Sequence, residues 1–268
     1  MLDYTQLLMD GVYKYQPKSK ETKQIYIYAP TIGEIIGDRD NLNFSVFTKI
    51  FATSIREIYS SVPEMVDMRE DEFPTIWDVA YGGNEAIEKE VVQLMFSLDI
   101  PLLALIVQGI SYWTRTDVAD YKILTNGKIV NEKLNWIVEK DDFLVISDVV
   151  KTITMYAPNE DLIPPRNMKP NQMDIWKKLY EGRIRQLKKN PVSFLADKIL
   201  ILQISANSYI PFKEIEKMNY LQFMGLLKGY AEKEGDEKQF AQFVAYKFDS
   251  SKMEITNWRE KISLVNEK

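Results

Sequence analysis

Residues 117–156 read DVADYKILTNGKIVNEKLNWIVEKDDFLVISDVVKTITMY, and this stretch decides the fold that the sequence predicts. Two short runs with strand character flank Asn126-Gly127. Asn-Gly between such runs is a strong hairpin signal, because both residues of a tight turn of this kind adopt positive φ. The sequence therefore predicts a β-hairpin over residues 121–131.

A helix is predicted directly after the hairpin. Asp141 and Asp142 stand where a helix cap is expected, and Phe143, Ile146 and Val150 then recur at helical spacing. The two carboxylates could instead form a pair for acid–base chemistry, but their position before an apolar helix favours capping. A two-stranded hairpin is marginal alone, so we expect it to pack on helices from elsewhere in the chain.

The N-terminal half predicts further helices and one more strand. Residues 24–29, QIYIYA, are aromatic and β-branched and predict a strand, and residues 32–36 predict a short helix that is closed by Gly37. Residues 42–60 place Phe and Ile on one stripe and predict a single long amphipathic helix. Helices are also predicted over residues 84–99 and 101–113, and loops over residues 14–24 and 62–73.

A cluster of prolines in residues 157–170 marks the predicted domain boundary. Proline has no N–H to donate and its ring clashes with the preceding turn, so it prevents a helix from continuing. After this cluster every predicted element is helical. The main predicted helices cover residues 172–189, 193–206, 219–233, 238–248 and 254–265, with a break at Gly235.

The predicted fold class is α+β and mostly α-helical, with two helical subdomains and a small β-hairpin and short strands in the N-terminal half. The N-terminal α+β domain covers residues 1–160 and contains the hairpin 121–131, and the helical C-terminal domain covers residues 161–268. The 268 residues are enough to bury a sizeable core in one domain or in two.

The residue counts exclude several classes of site. The chain has no Cys and no His, which excludes disulfides, thiolate nucleophiles, Cys/His zinc sites and imidazole acid–base catalysis. A carboxylate or lysine site stays chemically open as an alternative. We therefore predict that the protein is not an enzyme and that it has no catalytic residue, no cofactor and no metal site.

Charge and hydropathy bear on the choice of partner. The net charge of −5 provides no global basic field that would attract nucleic acid or anionic lipid. The longest apolar run, residues 100–110, is too short to span a bilayer, and the N-terminus lacks the features of a signal peptide. The sequence predicts neither a nucleic-acid partner nor a membrane partner.

Three clusters are candidate binding sites. The acidic run at residues 64–72 could hold a hard cation, but it lacks the ligand spacing of a calcium loop, which favours a solvated acidic loop. The basic run at residues 183–189 could contact phosphate, but its helical spacing favours a solvated helix end. Four aromatic residues near the C-terminus could dock a partner helix, with core packing as the favoured alternative: Phe240, Phe243, Phe248 and Trp258.

Three stretches together carry a family resemblance. The first is Pro30-Thr-Ile-Gly-Glu-Ile-Ile36, which follows a predicted strand. The second is the apolar helix pair, the Asn-Gly hairpin and the helix that ends at Tyr156. The third is the Trp-bearing basic helix of residues 171–189, followed by a helical tail with Asn219-Tyr220-Leu-Gln-Phe223 and Trp258. Their order over nearly the whole chain resembles tail assembly chaperones of siphophages that infect Gram-positive bacteria, in which the first stretch reads PT(V/I)GEI.

The resemblance implies a helper of phage tail assembly and not an enzyme. Such proteins act in the host cytoplasm, coat the long helical tape-measure protein, present it to tail-tube subunits and leave before the tail is finished. The resemblance leaves self-association open. Covering the apolar stripe of a partner helix is helix-in-groove binding, which suits a helix-rich protein with apolar surfaces. The alternative is a permanent part of the virion, such as a structural tail, baseplate or tail-completion component.

Overall fold

The computed structural model describes residues 4–19, 21–37, 42–189, 195–206 and 208–244. This part of the chain is mostly helical and contains two small antiparallel sheets, one of two strands and one of three. The predicted α+β, mostly helical fold class is confirmed. No helix in these ranges is long and apolar enough to cross a membrane.

The elements fall into three groups along the chain. The first is α1 (Tyr4–Asp10), β1 (Val12–Tyr15), β2 (Ile25–Tyr28), α2 (Ile32–Gly37), α3 (Leu42–Ala52), α4 (Ile55–Ile58), α5 (Pro63–Glu72) and α6 (Ile76–Gly82). The second is α7 (Glu85–Phe96), α8 (Leu102–Thr114), β3 (Tyr121–Ile123), β4 (Ile129–Asn131), β5 (Trp136–Val138) and α9 (Lys140–Thr154). The third is α10 (Pro170–Lys189), α11 (Leu195–Ser205), α12 (Phe212–Lys217) and α13 (Tyr220–Val244).

The predicted hairpin is confirmed, but its turn is of a different kind. β3 and β4 pair antiparallel, and β5 adds a third strand that the sequence did not predict. Gly127 has a φ of +81°, whereas Asn126 keeps a negative φ. The Leu124 N–H donates to the Lys128 carbonyl at 2.9 Å, which leaves three residues in the loop. A three-residue loop needs one left-handed residue at its end, and glycine adopts that conformation without strain.

α9 begins earlier than the sequence predicts, with Glu139 as its N-cap residue, and Asp142 takes part in the cap as the third residue of a capping box. Its buried carboxylate accepts hydrogen bonds from the Glu139 N–H at 2.9 Å, from Trp136 Nε1 at 3.0 Å and from the Tyr15 hydroxyl at 2.5 Å. Burial, followed by the hydrogen bond to Asp142, raises the pKa of Tyr15 above its usual value. Asp141 is exposed and forms an ion pair with Lys18, so the two carboxylates do not share one partner.

The core of the N-terminal body, which we define as residues 4–156, lies between α3, α8 and α9. The rings of Phe51 and Phe143 are 5.0 Å apart where α3 meets α9. Trp113 on α8 is fully buried, and its Nε1 donates to the Phe47 carbonyl at 3.4 Å. The hairpin sheet joins this core through Trp136, which is also fully buried. The hairpin thus packs on helices, as its marginal stability alone requires.

The predicted long helix over residues 42–60 is wrong in one respect, because it is two helices. Ser54 caps α4, and its hydroxyl and the Glu57 carboxylate exchange hydrogen bonds with each other's backbone N–H. Such a reciprocal capping box satisfies two free donors and starts a new helix within an amphipathic pattern. The prediction followed the apolar stripe, which continues across the break.

The predicted acidic loop over residues 62–73 is also wrong, because residues 63–72 form α5. Pro63 occupies its first position, where proline is well tolerated. The Arg56 guanidinium forms ion pairs with Asp67 and Glu70 of this helix. Few apolar residues face the core in α5, so the sequence lacks the period that would reveal a helix. The described residues hold no group of three or more Asp, Glu, His or Cys side chains that could bind a metal.

Two further predicted boundaries differ from the structure. β1 occupies residues 12–15, partly within the predicted loop over residues 14–24, and pairs with the correctly predicted β2. α13 continues through Gly235, where a break was predicted. Glycine inside a helix costs about 1 kcal/mol, but the pairs Lys233–Glu237 and Glu234–Lys238 flank it at helical spacing. The predicted helix over residues 254–265 lies outside the described residues.

The proline-rich segment after α9 is held to the N-terminal body. Arg56 donates to the Pro164 carbonyl at 2.6 Å, and the Asn167 N–H donates to Asp67 at 2.7 Å. Arg166 forms an ion pair with Glu70 at 2.6 Å. The predicted division between residues 160 and 161 stays a prediction.

Candidate partner-binding site

Two of the stretches that carry the family resemblance contact each other. The Tyr220 N–H donates to the Pro30 carbonyl and the Ile32 N–H donates to the Met218 carbonyl, both at 2.9 Å. These bonds lie on either side of an antiparallel β-bridge between Thr31 and Asn219. We call this contact between residues 30–36 and 216–223 the junction, because it joins the N-terminal body to the last two helices.

Gly33 lies in the junction at a place where there is little space for a side chain. A Cβ atom built on this glycine would lie 2.8 Å from Glu216 Cγ and 3.2 Å from the Glu216 carbonyl oxygen. A larger residue would therefore displace the Glu216 side chain and crowd its backbone carbonyl, at the point where α12 lies close to α2. The glycine of the motif therefore serves close packing of these two helices.

The polar residues of the first motif fix the start of α2. The Thr31 N–H donates to the Glu34 carboxylate at 2.7 Å, and the Glu34 N–H donates to the Thr31 hydroxyl at 3.2 Å, which is a capping box. Arg115 binds the same carboxylate at 2.6 Å and stacks over the Tyr28 ring, with 4.6 Å from its guanidinium carbon to the ring centroid. Each polar residue of the motif thus has a structural partner.

Asn219 anchors the second motif and begins α13. Its side-chain oxygen accepts from the Gln222 N–H at 2.9 Å, and the Asn219 N–H donates to the Gln222 side chain at 3.1 Å. Its side-chain nitrogen donates to the Leu8 carbonyl at 3.1 Å, which ties α13 to α1. The junction is therefore hydrogen-bonded to the body on two sides.

A cleft of about 920 Å³ opens beside the junction, and we call it the cleft. It runs along α3 and α4, and its walls come from α7, the segment after α9, α10, α11 and α13. Phe44 and Tyr220 stand at the junction end, with ring centroids 4.8 Å apart. Its other apolar and aromatic lining residues are Ile58, Leu94, Met95, Tyr156, Ala157, Leu162, Ile163 and Tyr180, and polar residues make up the rest of the lining.

Among the charged groups that line the cleft, the carboxylate has hydrogen-bond partners whereas the lysines have no ion-pair partner. The Glu57 carboxylate accepts from the Tyr156 hydroxyl at 2.5 Å and from the Ser54 N–H at 2.8 Å. Burial, followed by this hydrogen bond to Glu57, raises the pKa of Tyr156 above its usual value. Lys49 and Lys198 have no carboxylate within ion-pair distance in the described ranges. The cleft therefore presents two ammonium groups and one occupied carboxylate.

Exposed apolar side chains form a second surface, on α11 and the start of α12. Ile204 is 83% exposed and Tyr209 is 76% exposed. The α11–α12 patch, as we call this surface, consists of Leu200, Ile201, Ile204, Tyr209 and Phe212. Large apolar groups in one exposed region mark an interaction surface. Sequence patterns did not distinguish these residues from core residues, since both kinds of helix face are apolar.

The predicted partner-binding aromatics lie elsewhere. Phe240 and Phe243 are in the last turns of α13, where they are 56% and 41% exposed. They are not among the residues that line the cleft, and the core packing favoured by the sequence does not hold for these two. Phe248 and Trp258 lie outside the described residues. A partner-binding role for the four aromatics stays a prediction.

The basic run at residues 183–189 ends α10. Arg183 forms an ion pair with Asp161 at 3.3 Å and lies over the Trp176 ring, 5.5 Å from its centroid. Lys188 and Lys189 are exposed in the last turn, where cations interact favourably with the helix dipole. The run thus matches the solvated helix end that the sequence favoured.

Comparison with known proteins identifies no relative of this chain. The chain matches no protein-family model, no curated protein and no solved structure. The family resemblance therefore rests on the three stretches alone.

Proposed function

We propose that this protein is a non-enzymatic assembly chaperone of phage tails, which binds a helical segment of the tape-measure protein and presents it to tail-tube subunits. It acts in the host cytoplasm before the tail is complete. The observation that carries the proposal is the cleft, because it lies between helices beside the junction and has apolar and aromatic side chains among the polar residues of its lining. Amphipathic helices bind in grooves of this kind.

The lining of the cleft follows two successive helices. α3 has 11 residues, and a helix of that length spans about 16 Å, or three turns. Residues of both α3 and α4 line the cleft, so a partner helix lying beside them would place side chains from successive turns in it. A groove between helices is a common binding site for an amphipathic helix.

The α11–α12 patch supports a second binding event. A chaperone that holds one protein and recruits another needs two separate surfaces, and the patch is made of residues that do not line the cleft. We assign the tape-measure helix to the cleft and the tail-tube subunit to the patch. The exposed Phe240 and Phe243 extend the apolar surface that is available to either partner.

Co-expression tests the tape-measure interaction. Overlapping tape-measure fragments are produced with the chain, and their solubility and co-elution are measured. At least one fragment should become soluble and co-elute. Ser45→Trp, at an exposed position that lines the cleft, should abolish this because the indole occupies the groove. Gln186→Trp, at an exposed position outside the lining, is the matched control and should leave co-elution unchanged.

Two results would contradict the proposal. One is the absence of co-elution with every tape-measure fragment. The other is detection of the chain in purified phage particles at a fixed ratio to the tail proteins by mass spectrometry, which would favour the permanent virion component instead.

A further inference from the structure

We infer that the cleft selects helices whose polar edge is acidic, so that partner carboxylates contact Lys49 and Lys198. This inference rests on the proposed function and narrows the kind of helix that the site accepts. It follows from the unequal pairing of charges around the cleft.

Some lysines of the body are already in ion pairs, whereas the two cleft lysines are not. Lys140 is paired with Asp78 and Lys133 with Asp120, each at 2.6 Å. Lys49 instead extends over the Phe96 ring, with 6.0 Å from its Nζ to the centroid. A weak contact of this kind leaves the ammonium group able to meet a carboxylate from outside.

Lys198 lines the cleft from α11, whereas Lys49 lines it from α3. It is half-buried, so an ion pair made there is less exposed to solvent than one on a free surface. Asp161 lies next to the cleft and is already paired with Arg183. Glu57 and Asp161 are thus engaged, whereas Lys49 and Lys198 form no ion pair in the described ranges.

Thr48 supplies a separate observation that points to the same ligand chemistry. Its hydroxyl oxygen is buried and has no hydrogen-bond partner among the described residues, although the residue itself belongs to the lining of the cleft on α3. A buried hydroxyl without a partner is costly, and threonine in a helix usually donates to the carbonyl four residues earlier. A turn of the Thr48 side chain toward the cleft would let the hydroxyl donate to a carboxylate that also contacts Lys49.

The overall charge of the chain would favour the opposite partner. At a net charge of −5, long-range attraction draws basic peptides and repels acidic ones. Preference for an acidic helix would therefore have to come from short-range contacts inside the cleft, which makes the inference specific to that site.

Model peptides test it by fluorescence anisotropy. Labelled amphipathic peptides of about 20 residues, long enough to form helix, share one apolar face and carry Glu, Gln or Lys along both polar edges. The Glu peptide should bind about ten-fold tighter than the Gln peptide, and the Lys peptide should bind most weakly. Lys49→Gln and Lys198→Gln should each weaken binding of the Glu peptide about three-fold and leave the Gln peptide unaffected.

Controls separate the cleft from general charge effects. Lys178→Gln removes an exposed lysine of α10 that does not line the cleft, and it should leave the affinity for all three peptides unchanged. Thr48→Val should weaken binding of the Glu peptide about three- to ten-fold, as the loss of one typical hydrogen bond predicts. Circular dichroism checks that every variant keeps the helical content of the parent chain.

The outcomes distinguish this inference from the proposed function. Equal binding of the Glu and Gln peptides, or binding of none of the three, would overturn the inference even where tape-measure fragments still co-elute. Tight binding of the Glu peptide through Lys49 and Lys198, with no co-elution of any tape-measure fragment, would support the inference and overturn the proposed function.

Discussion

The N-terminal body and the C-terminal helices differ in how they use apolar residues. The body encloses a large continuous core with fully buried Trp113 and Trp136, and Leu221 is the one described residue beyond position 160 that joins it. The second core has four buried members: Ile32, Leu202, Ile215 and Phe223. The difference indicates that the body supplies stability, while α11–α13 keep apolar surface available for contacts with other molecules.

The largest effect on the free energy of unfolding is expected for a substitution in the core of the body. Trp113→Ala removes a fully buried indole and should lower the free energy of unfolding by about 3–5 kcal/mol. Phe223→Ala empties an equally buried site in the second core, and it should expose α11–α13 to limited proteolysis while the body keeps its urea midpoint. If Phe223→Ala lowers that midpoint as much as Trp113→Ala does, the two regions form one cooperative unit and the comparison fails.

A smaller effect is expected at the junction. Gly33→Leu places carbon atoms where Glu216 now lies, and overpacking of this kind costs about 1–3 kcal/mol. Hydrogen exchange should accelerate in α12 and the first turn of α13 but not in α8 or α9. Gly37→Leu is the matched control on the same helix, since nothing lies within 4 Å of a Cβ atom there. Faster exchange throughout the body in Gly33→Leu would contradict a local role for the junction.

A pH-dependent effect is expected where the proline-rich segment meets the body. Burial acts to raise the pKa of Asp67, but the hydrogen bond from Asn167 and the contacts with Arg56 outweigh it and lower the pKa overall. A carboxyl group with a depressed pKa stabilises the fold above its unfolded pKa of about 4 and loses that contribution as pH falls through the folded value.

Asp67→Asn tests this sign. As the pH is lowered below about 5, the free energy of unfolding of the parent chain should fall further than that of the variant. The extra loss should be at most about 1 kcal/mol, because the Asp67 carboxylate is partly exposed. Urea titrations at several pH values measure the difference. Asp71→Asn, on the same helix but outside the Arg56 network, should follow the parent. A variant with the same pH dependence as the parent would exclude Asp67 as a source of acid sensitivity.

The smallest stability effect is expected on the α11–α12 patch. Ile204→Ser should change the free energy of unfolding by less than about 0.5 kcal/mol, because the side chain is already in solvent. Under the proposed function, it should nevertheless weaken binding of tail-tube subunits in pull-down assays. Leu202→Ser, two residues away and fully buried, should instead destabilise the second core. A marked loss of stability in Ile204→Ser would mean that the patch belongs to the fold.

Local chemistry explains which parts of the fold the sequence predicts. The hairpin and the capping role of Asp142 follow from residues a few positions apart, and both are confirmed. α5 is missed because ion pairs with Arg56, rather than an apolar stripe, hold it. The continuation of α13 through Gly235 is missed because the flanking ion pairs offset a helix-breaking residue.

The cleft could not be predicted from the sequence at all. Lys49 and Lys198 are far apart in the chain and come together only because the junction and the proline-rich segment place α10–α13 beside α3. The motif Pro30–Ile36 carries a family resemblance, but its structural role depends on the close approach of Gly33 to Glu216. Tertiary placement of this kind leaves no periodic signal in either segment.

The two attachments of the C-terminal helices have a consequence for binding kinetics. Arg56 holds the chain as it enters these helices, and Asn219 holds it at the start of α13. Because the wall is anchored at two points, less ordering entropy is lost when a helix docks than if these helices were free. Such preorganisation favours rapid association without a slow closing step, which would suit the proposed role in assembly.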